Sequence, residues 1–385
     1  MKADSLLFYT TSALIAISIV FSMSLSVFTV LVEGTSHYHF FIRQFTFGLF
    51  CIGLMWAISF SKVKYLTHIA ITLCLISVVA MISMPFLPSS LVTEVKGAAR
   101  WIKLPFFSVA PTEFFKVGFV YFLAWSFARK LSNTNKGMLS EAAVLLPYVI
   151  LFAPIAIFIA FIQNDLGQVV VLALVLIFMA FFAGTSLRFI ITVGLGLGGL
   201  VSIFILTSEH RIARVKSWWG GVQDLVLSYM PANLVNKLHI EDASEPYQVK
   251  YSLNAINNGE WFGQGLGYGN FKLGYLSEVH TDFVLAGIAE EIGFLGILCV
   301  ILLYGAMLFR IFATALKSVQ KTHSLFCLGI GFLLLFSFMM NAFGITSLIP
   351  VKGIAVPFLS YGGSNLLASS IAISFVLIIS KKTKF

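Results

Sequence analysis

Charge is what this sequence has least of. Only 11% of its 385 residues are Asp, Glu, Lys or Arg, and just 16 are acidic, where an ordinary soluble domain carries about 25% charged residues. With 59% of the residues hydrophobic, a water-soluble fold of this size could not hide its apolar surface. A cytosolic enzyme, a disordered chain and a nucleic-acid binder are excluded, which leaves a membrane-embedded protein. Cysteine is scarce as well. Cys51, Cys74, Cys299 and Cys327 all fall in apolar stretches, which predicts free thiols and no disulfide frame. There is no solenoid-type repeat and no low-complexity tract.

Long runs without any charged residue are abundant: Ser5–Val32, Gln44–Ser61, Tyr65–Thr93, Ala142–Asn164, Leu166–Leu187, Phe189–Ser208, Thr322–Val351 and Gly353–Ser380. Each exceeds or approaches the roughly 20 residues that carry a helix across a bilayer core. Two further spans are interrupted by charge, Ser108–Ala128 by Glu113 and Lys116, and Asp282–Phe309 by Glu290 and Glu291. The reading is an all-α integral membrane protein of about ten transmembrane helices, a single polytopic domain over residues 1–385. Lipid leaves the edges of an open sheet unsatisfied, and continuous apolar runs do not alternate as barrel strands do. The first run follows Lys2 but is too long for a signal h-region of roughly 7–15 residues and has no A-x-A site after it, so it reads as an uncleaved first helix. Gly194, Gly196, Gly198 and Gly199 predict a close helix approach in the seventh span.

The net charge of +9 resolves on this topology. Thirteen basic residues, among them Lys62, Lys64, Arg129, Lys130, Lys136, Arg188, Arg310, Lys317, Lys321 and Lys381, fall on the side of both termini, against six on the other side. Positive residues mark the cytoplasmic side, so the termini are expected in the cytoplasm. The long loop 208–281, between helices 7 and 8, is then extracytoplasmic. It is mixed in sign and too short for a domain of its own. Tyr247, Tyr251 and Ala255 predict a short amphipathic helix that ends at Asn257-Asn258-Gly259. The glycines 263, 265, 267 and 269 imitate a dinucleotide fingerprint, but no strand precedes them, so they read as turns.

Charge inside or beside a span needs a reason, and function is the default one. Glu113 and Lys116 are three apart on one helix face and either neutralise each other or line a polar cavity. Asp165 and Asp282 each begin a span, where a carboxylate caps free amides. Capping does not account for Glu278 and His280 beside Asp282. Glu290 and Glu291 are expected to face other helices, with a proton relay as the second reading. On the outer side Arg100 and Lys103, Arg211 and Arg214, and Lys352 run against the orientation rule. Lipid headgroups or an anionic ligand such as a phosphate would account for them.

Four motifs occur in order: Gly97-Ala-Ala-Arg-Trp-Ile-Lys103; Gln163-Asn-Asp-Leu-Gly167; Tyr247-Gln248 leading through Gly263-Gln-Gly-Leu-Gly267 to Glu278-Val-His-Thr-Asp-Phe283 and Glu290-Glu-Ile-Gly293; and Pro350-Val-Lys-Gly353 leading to Pro357-Phe-Leu-Ser-Tyr-Gly-Gly-Ser364. On these motifs, and on its ten-span layout, the chain resembles the FtsW/RodA/SpoVE family of polytopic bacterial proteins that polymerise the lipid-linked disaccharide precursor of peptidoglycan. It departs from the family pattern at Ala110, Thr112, Asn164 and Ser277, which leaves the charged positions intact and removes a polar role for position 110. Lys352-Gly353 and Lys272-Leu-Gly-Tyr-Leu276 look more like the division member than the elongation member.

The resemblance implies a glycosyltransferase that joins lipid II into β-1,4 glycan at the outer face of the cytoplasmic membrane, at the division septum. An acceptor 4-hydroxyl attacks the anomeric carbon of a donor on undecaprenyl pyrophosphate, with inversion. Asp282 matches the family's catalytic aspartate and would take the hydroxyl proton. Arg100 and Lys352 would hold the pyrophosphate, with Arg211, Arg214 or a divalent cation, Mg or Mn. Glu278 and His280 would orient base or acceptor, and Glu113, Lys116, Gln163, Asp165, Ser360 and Ser364 complete the expected substrate-binding set. The implied partners are lipid II, a class B penicillin-binding transpeptidase, other division membrane proteins and membrane lipids, with no nucleic acid. The alternatives are a lipid II flippase, an elongation-type polymerase, and a scaffold in which Asp282 is dispensable.

Overall fold

The computed structural model describes all residues except 1–2, 35, 37, 89, 96–97, 105–106, 132–136, 208, 232–234, 236–238, 241–246, 277 and 384–385. Lys2, Lys96, Gly97, Lys136, Lys237, Glu241, Asp242, Glu245, Ser277 and Lys384 therefore lie outside the described residues.

The spans form where the charge-free runs predict them. In chain order the helices are α1 Ser5–Leu25, α2 Val27–Glu33, α3 His39–Ser59, α4 Leu66–Ser83, α5 Pro111–Lys130, α6 Met138–Ile157, α7 Leu166–Ala183, α8 Leu187–Leu206, α9 Glu209–Leu227, α10 Tyr247–Gly259, α11 Val284–Lys317, α12 Lys321–Ile345 and α13 Gly363–Ser380. Among the described residues nine are long and apolar enough to cross a membrane. The tenth of span length is α5, whose Glu113, Lys116, Arg129 and Lys130 lower its apolar character.

Several boundaries differ from the sequence reading. The first apolar run is two helices, separated at Ser26. After α4 the described residues leave the helical layer and form a three-stranded antiparallel sheet, β1 Val92–Val95, β2 Ala98–Lys103 and β3 Ser108–Val109, which the apolar run over 65–93 conceals. The last run becomes helical only at Gly363, because Pro357 lacks an amide hydrogen and residues 353–362 form a loop, buried at Ile354 and over 356–360, instead of a span. A helix at Glu209–Leu227 was not expected; the one at Tyr247–Gly259 was.

At the core, α12 and α13 are buried by α3, α5, α7 and α11. Glycine decides one of these approaches: a Cβ on Gly118 would stand 2.5 Å from Cys74 Cβ, so only glycine lets α5 lie against α4. The glycines of α8 do no such work. A Cβ at Gly194, Gly196, Gly198 or Gly199 would meet nothing within 4 Å, which corrects the expectation of close packing there. The four cysteines are free thiols.

Polar contacts mark the two ends of the bundle. At one, Arg310 pairs with Asp4 at 2.8 Å, the Asp4 amide donates to Ser380 Oγ at 3.0 Å, and Lys321 donates to the carbonyl of Ala183 at 3.1 Å. This is the end of both termini. The sheet, α9, α10 and the loops before α11 and α13 gather at the other.

Helix α11 is discontinuous. Gly293 is left-handed at φ 69° and ψ −172°, and the break is filled by the loop after α10. Phe294 and Leu295 amides donate to the carbonyls of Glu260 and Trp261, while Gln264 and Gly265 amides donate to those of Glu290 and Glu291. Broken backbone at membrane depth survives only with such partners. The expected span Asp282–Phe309 is thus two segments, and Glu290 and Glu291 end the first. Neither faces another helix alone. Glu290 accepts from Asn258 Nδ2 at 2.9 Å and the Asn270 amide at 2.7 Å, and Glu291 pairs with Lys272 at 2.5 Å and accepts from Ser24.

Candidate active site

Asp282 stands at the centre of the end opposite the termini. Its backbone is fixed by Glu278, which is left-handed at φ 58° and whose carbonyl receives the amides of Thr281 and Asp282 at 3.1 and 3.0 Å. The N-cap of α11 is Phe283, one residue after Asp282, and has no side-chain cap. Its carboxylate is turned toward the loop before α13, where a Cβ on Gly353 would stand 2.5 Å from Oδ2. A side chain at 353 would force the carboxylate out of this position.

The two segments are strapped together. Ser360 Oγ donates to the Thr281 carbonyl at 2.6 Å and accepts the Val356 amide at 2.8 Å, and the Tyr361 amide donates to the His280 carbonyl at 2.9 Å. Asn341 of α12 donates both amide hydrogens, to the carbonyls of Asp282 at 2.6 Å and Ile354 at 2.8 Å. His280 is buried between the rings of Phe40 and Tyr361, at 5.1 and 5.6 Å. Burial pushes its pKa below the ordinary histidine value, against the pull of Glu278. Glu278 itself is exposed, with only Thr281 Oγ1 on its carboxylate at 3.3 Å.

Lys352 precedes Gly353, and its Cβ rests over Gly167 at the start of α7. Burial, then the nearby Arg214 and Arg211, push its pKa below the ordinary lysine value, while Asp165 pulls it up. A cation held in this way, on the loop that meets the Asp282 carboxylate at Gly353, gains from an anion. Helix α9 brings the arginines there by docking Trp218 Nε1 on the Ser347 carbonyl at 2.8 Å. Arg214 is exposed. Arg211 is buried, and donates to the carbonyls of Phe204 and Ala160, both at 2.9 Å.

Arg100 reaches from β2 to the Gln163-Asn164-Asp165 turn. Its guanidinium donates to the carbonyls of Gln163 at 2.8 Å and Asn164 at 2.9 Å and lies 3.6 Å from Asp165 Oδ2. Asp165 also accepts the Gln168 amide at 3.2 Å, the predicted cap. Burial raises its pKa, and Arg100 and that amide oppose the rise. Gln163 accepts from Thr112 Oγ1 at 2.6 Å. Below them Glu113, Lys116 and Gln168 close a triangle of 2.8, 3.0 and 3.2 Å, so the predicted pairing is present and has a third member. Ser364 donates to the Ser108 carbonyl at 2.9 Å and accepts the Ala110 amide at 3.0 Å. Lys103 lies in the same strand as Arg100.

The structure thus brings Asp282, Lys352, Asp165 and Arg214 to one place. It commits Arg100, Arg211, Gln163, Ser360 and Ser364 to protein partners. Sequence reasoning missed Asn341, Gln168, Trp218 and the Lys272–Glu291 pair. Asn341 and Gln168 sit in charge-free runs where a lone amide gives no signal, whereas Lys272 could have been matched to Glu291 as an acid needing a base.

The family model described as a cell cycle protein, FtsW/RodA/SpoVE, matches residues 4–385. The chain belongs to this family. Curated relatives include a Helicobacter pylori protein named probable peptidoglycan glycosyltransferase FtsW, 44% identical over 100% of both chains, and one of the same name from Trichlorobacter lovleyi, 34% identical over 90% of this chain and 84% of that one. Solved structures share the fold. A chain from work on the structural coordination of polymerization and crosslinking by a peptidoglycan synthase complex matches with TM-score 0.70 at 22% identity, covering 98% of each chain. Thermus thermophilus rod shape determining protein RodA matches with TM-score 0.65 at 22% identity, covering 100% of this chain and 98% of that one. The fold of these structures is therefore the fold of this chain, an all-α multi-pass membrane bundle.

Proposed function

We propose that this protein is a peptidoglycan glycosyltransferase of septal cell-wall synthesis, with Asp282 as its base. The observation that carries the chemistry is the meeting of the Asp282 carboxylate with the loop that carries Gly353 and Lys352, at one end of a membrane bundle. An acceptor sugar hydroxyl presented to Asp282 loses its proton there as it attacks the anomeric carbon of the donor. Lys352, with Arg214 exposed nearby, takes up the charge that develops on the departing pyrophosphate. Pyrophosphate leaves without a protonated acid of the glycosidase kind, so a single carboxylate suffices, and attack opposite the leaving group inverts the anomeric centre. Arg100 serves by fixing the Asp165 turn beneath the clamp.

A divalent cation, Mg or Mn, would be held mainly through the pyrophosphate oxygens with one or two carboxylates and would add positive charge beside Lys352 and Arg214. The positive-inside bias supports termini in the cytoplasm and a site outside, where lipid II and a penicillin-binding transpeptidase would meet it.

The test supplies purified protein, alone and with its partner transpeptidase, with lipid-linked disaccharide and resolves the glycan on a gel. The expected result is polymer from the unaltered chain and none above background from Asp282→Asn. Polymer from that variant at the unaltered rate overturns the base. Accelerated transbilayer movement of the lipid without polymer would favour a flippase.

A further inference from the structure

Between Glu260 and Lys272 the chain carries no charge, yet it turns large apolar side chains outward. Trp261 is 63% exposed, Phe262 82%, Leu266 53% and Tyr268 77%. Neither the catalytic chemistry nor the core uses them. Glycines 263, 265 and 267 are left-handed and fold the segment into tight turns, so these side chains stand on a short, constrained loop.

The depth of this loop is fixed by the break in α11. Its four main-chain hydrogen bonds at Glu290, Glu291, Phe294 and Leu295 hold it where the second half of that helix begins. Residues 294–317 rise about 36 Å at 1.5 Å per residue, enough to cross a hydrocarbon core of about 30 Å. The far part of that helix carries Arg310, paired with Asp4 at the terminal end. From Arg310 back to Phe294 is about 24 Å of helix at 1.5 Å per residue, so Phe294 lies just inside the opposite edge of the hydrocarbon, and the loop lies with it. The Trp261 ring meets the Phe294 ring edge-on at 5.3 Å. Phe294, Leu295, Ile301 and Leu302 are exposed along α11, so helix and loop present one continuous apolar surface. What covers the span covers the loop.

We propose that Trp261, Phe262, Leu266 and Tyr268 form an interfacial wedge seated in the bilayer, with lipid as its occupant. Trp and Tyr favour this layer because each joins an apolar body to a polar tip. The wedge is tied by Lys272 to Glu291 and Ser24, and the same segment runs on to Asp282. It sets the height of the carboxylate above the hydrocarbon. On the glycosyltransferase reading, this is the layer in which the pyrophosphate of a lipid-linked sugar rests. The seating itself does not depend on that reading.

A nitroxide is attached at Phe262→Cys, and separately at Tyr268→Cys, in a full-length chain with the exposed Cys299 replaced by Ser. The protein is placed in vesicles of phosphatidylethanolamine and phosphatidylglycerol. Collisions of the label with oxygen, which concentrates in hydrocarbon, are compared with those of a water-soluble nickel chelate, using Leu302→Cys as the membrane standard. The expected result is loss of nickel collisions with oxygen collisions retained, as at position 302. Nickel collisions dominating at both loop positions would place the loop in water and overturn the proposal. Loss of both kinds of collision would mean that protein covers the patch, and overturns it too. Polymer formation is measured on the same samples, so a failed wedge and a failed glycosyltransferase give separate signals.

Discussion

The side-chain amide of Asn341 joins the carbonyl of Asp282 to that of Ile354, at 2.6 and 2.8 Å. One buried residue of α12 thus sets the spacing between the segment that carries the base and the loop that carries Lys352. Truncation to Ala strands two carbonyls, at a cost of about 1–3 kcal/mol, and frees the segments to drift. A shift of about 1 Å at a reacting group costs about a hundredfold in rate. Asn341→Ala is expected to lower kcat by about that factor with KM little changed, which steady-state kinetics on lipid-linked substrate would reveal. An unchanged kcat would refute the strap.

Gly353 and Gly198 make a matched pair. A methyl group at 353 collides with the Asp282 carboxylate, whereas one at 198 meets nothing within 4 Å. Gly353→Ala should abolish turnover while the protein still purifies as a folded species. Gly198→Ala should keep full activity and melt no lower, since alanine in a helix interior is favoured over glycine by about 0.5–1 kcal/mol. Equal activity in the two variants would contradict the close passage over the carboxylate.

Lys272 and Glu291 are buried together, with Ser24 as the third member. Removing one partner leaves a buried charge alone, which costs about 3–5 kcal/mol. Lys272→Met is expected to lower the melting temperature in detergent sharply. The double variant Lys272→Met with Glu291→Leu should recover most of the loss, because an apolar pair of similar volume is often neutral. A double variant that melts no higher than the single one would speak against the pairing.

His280 supplies a pH dependence. Its folded pKa lies below its ordinary value of 6.5, because burial between Phe40 and Tyr361 disfavours the charged ring. The unfolded chain therefore takes up the proton first on acidification. Stability from this residue is complete above the ordinary value and is lost as the pH falls from there through the folded pKa. His280→Phe keeps the aromatic packing and should flatten that acid-side loss in melts taken from about pH 7 to about pH 5. A slope identical to that of the unaltered protein would count against it.

The spans were legible because a helix in lipid must shed charge, and the absence of charge is visible along a single line of text. Where apolar residues are buried by protein, that signal misleads. Residues 353–362 read as the start of a span, but Ile354 and residues 356–360 are buried by protein, with Asn341 and the segment before α11 taking their polar groups, and they need no helix. The charged members of the site were legible for the opposite reason, since each contradicts its surroundings. Arg211 shows the limit: its charge marked it, but nothing in the sequence foretold that two carbonyls would claim its guanidinium. Asn341 was invisible because one amide among apolar neighbours changes neither charge nor periodicity, and its worth arises only when Asp282 and Ile354 arrive from elsewhere in the chain.

The interrupted helix α11 also defines what can be exchanged between relatives. A graft that replaced the long loop up to Asp282 would import a foreign 259–265 while keeping the native Gly293, and a loop of different turn geometry would not bring its main-chain groups to the four shared hydrogen bonds. A chimera cut before α10 and after Gly293 keeps both sides of that join in one piece. The inheritable module is thus the loop together with the first segment of the following span, and its boundary lies inside a helix.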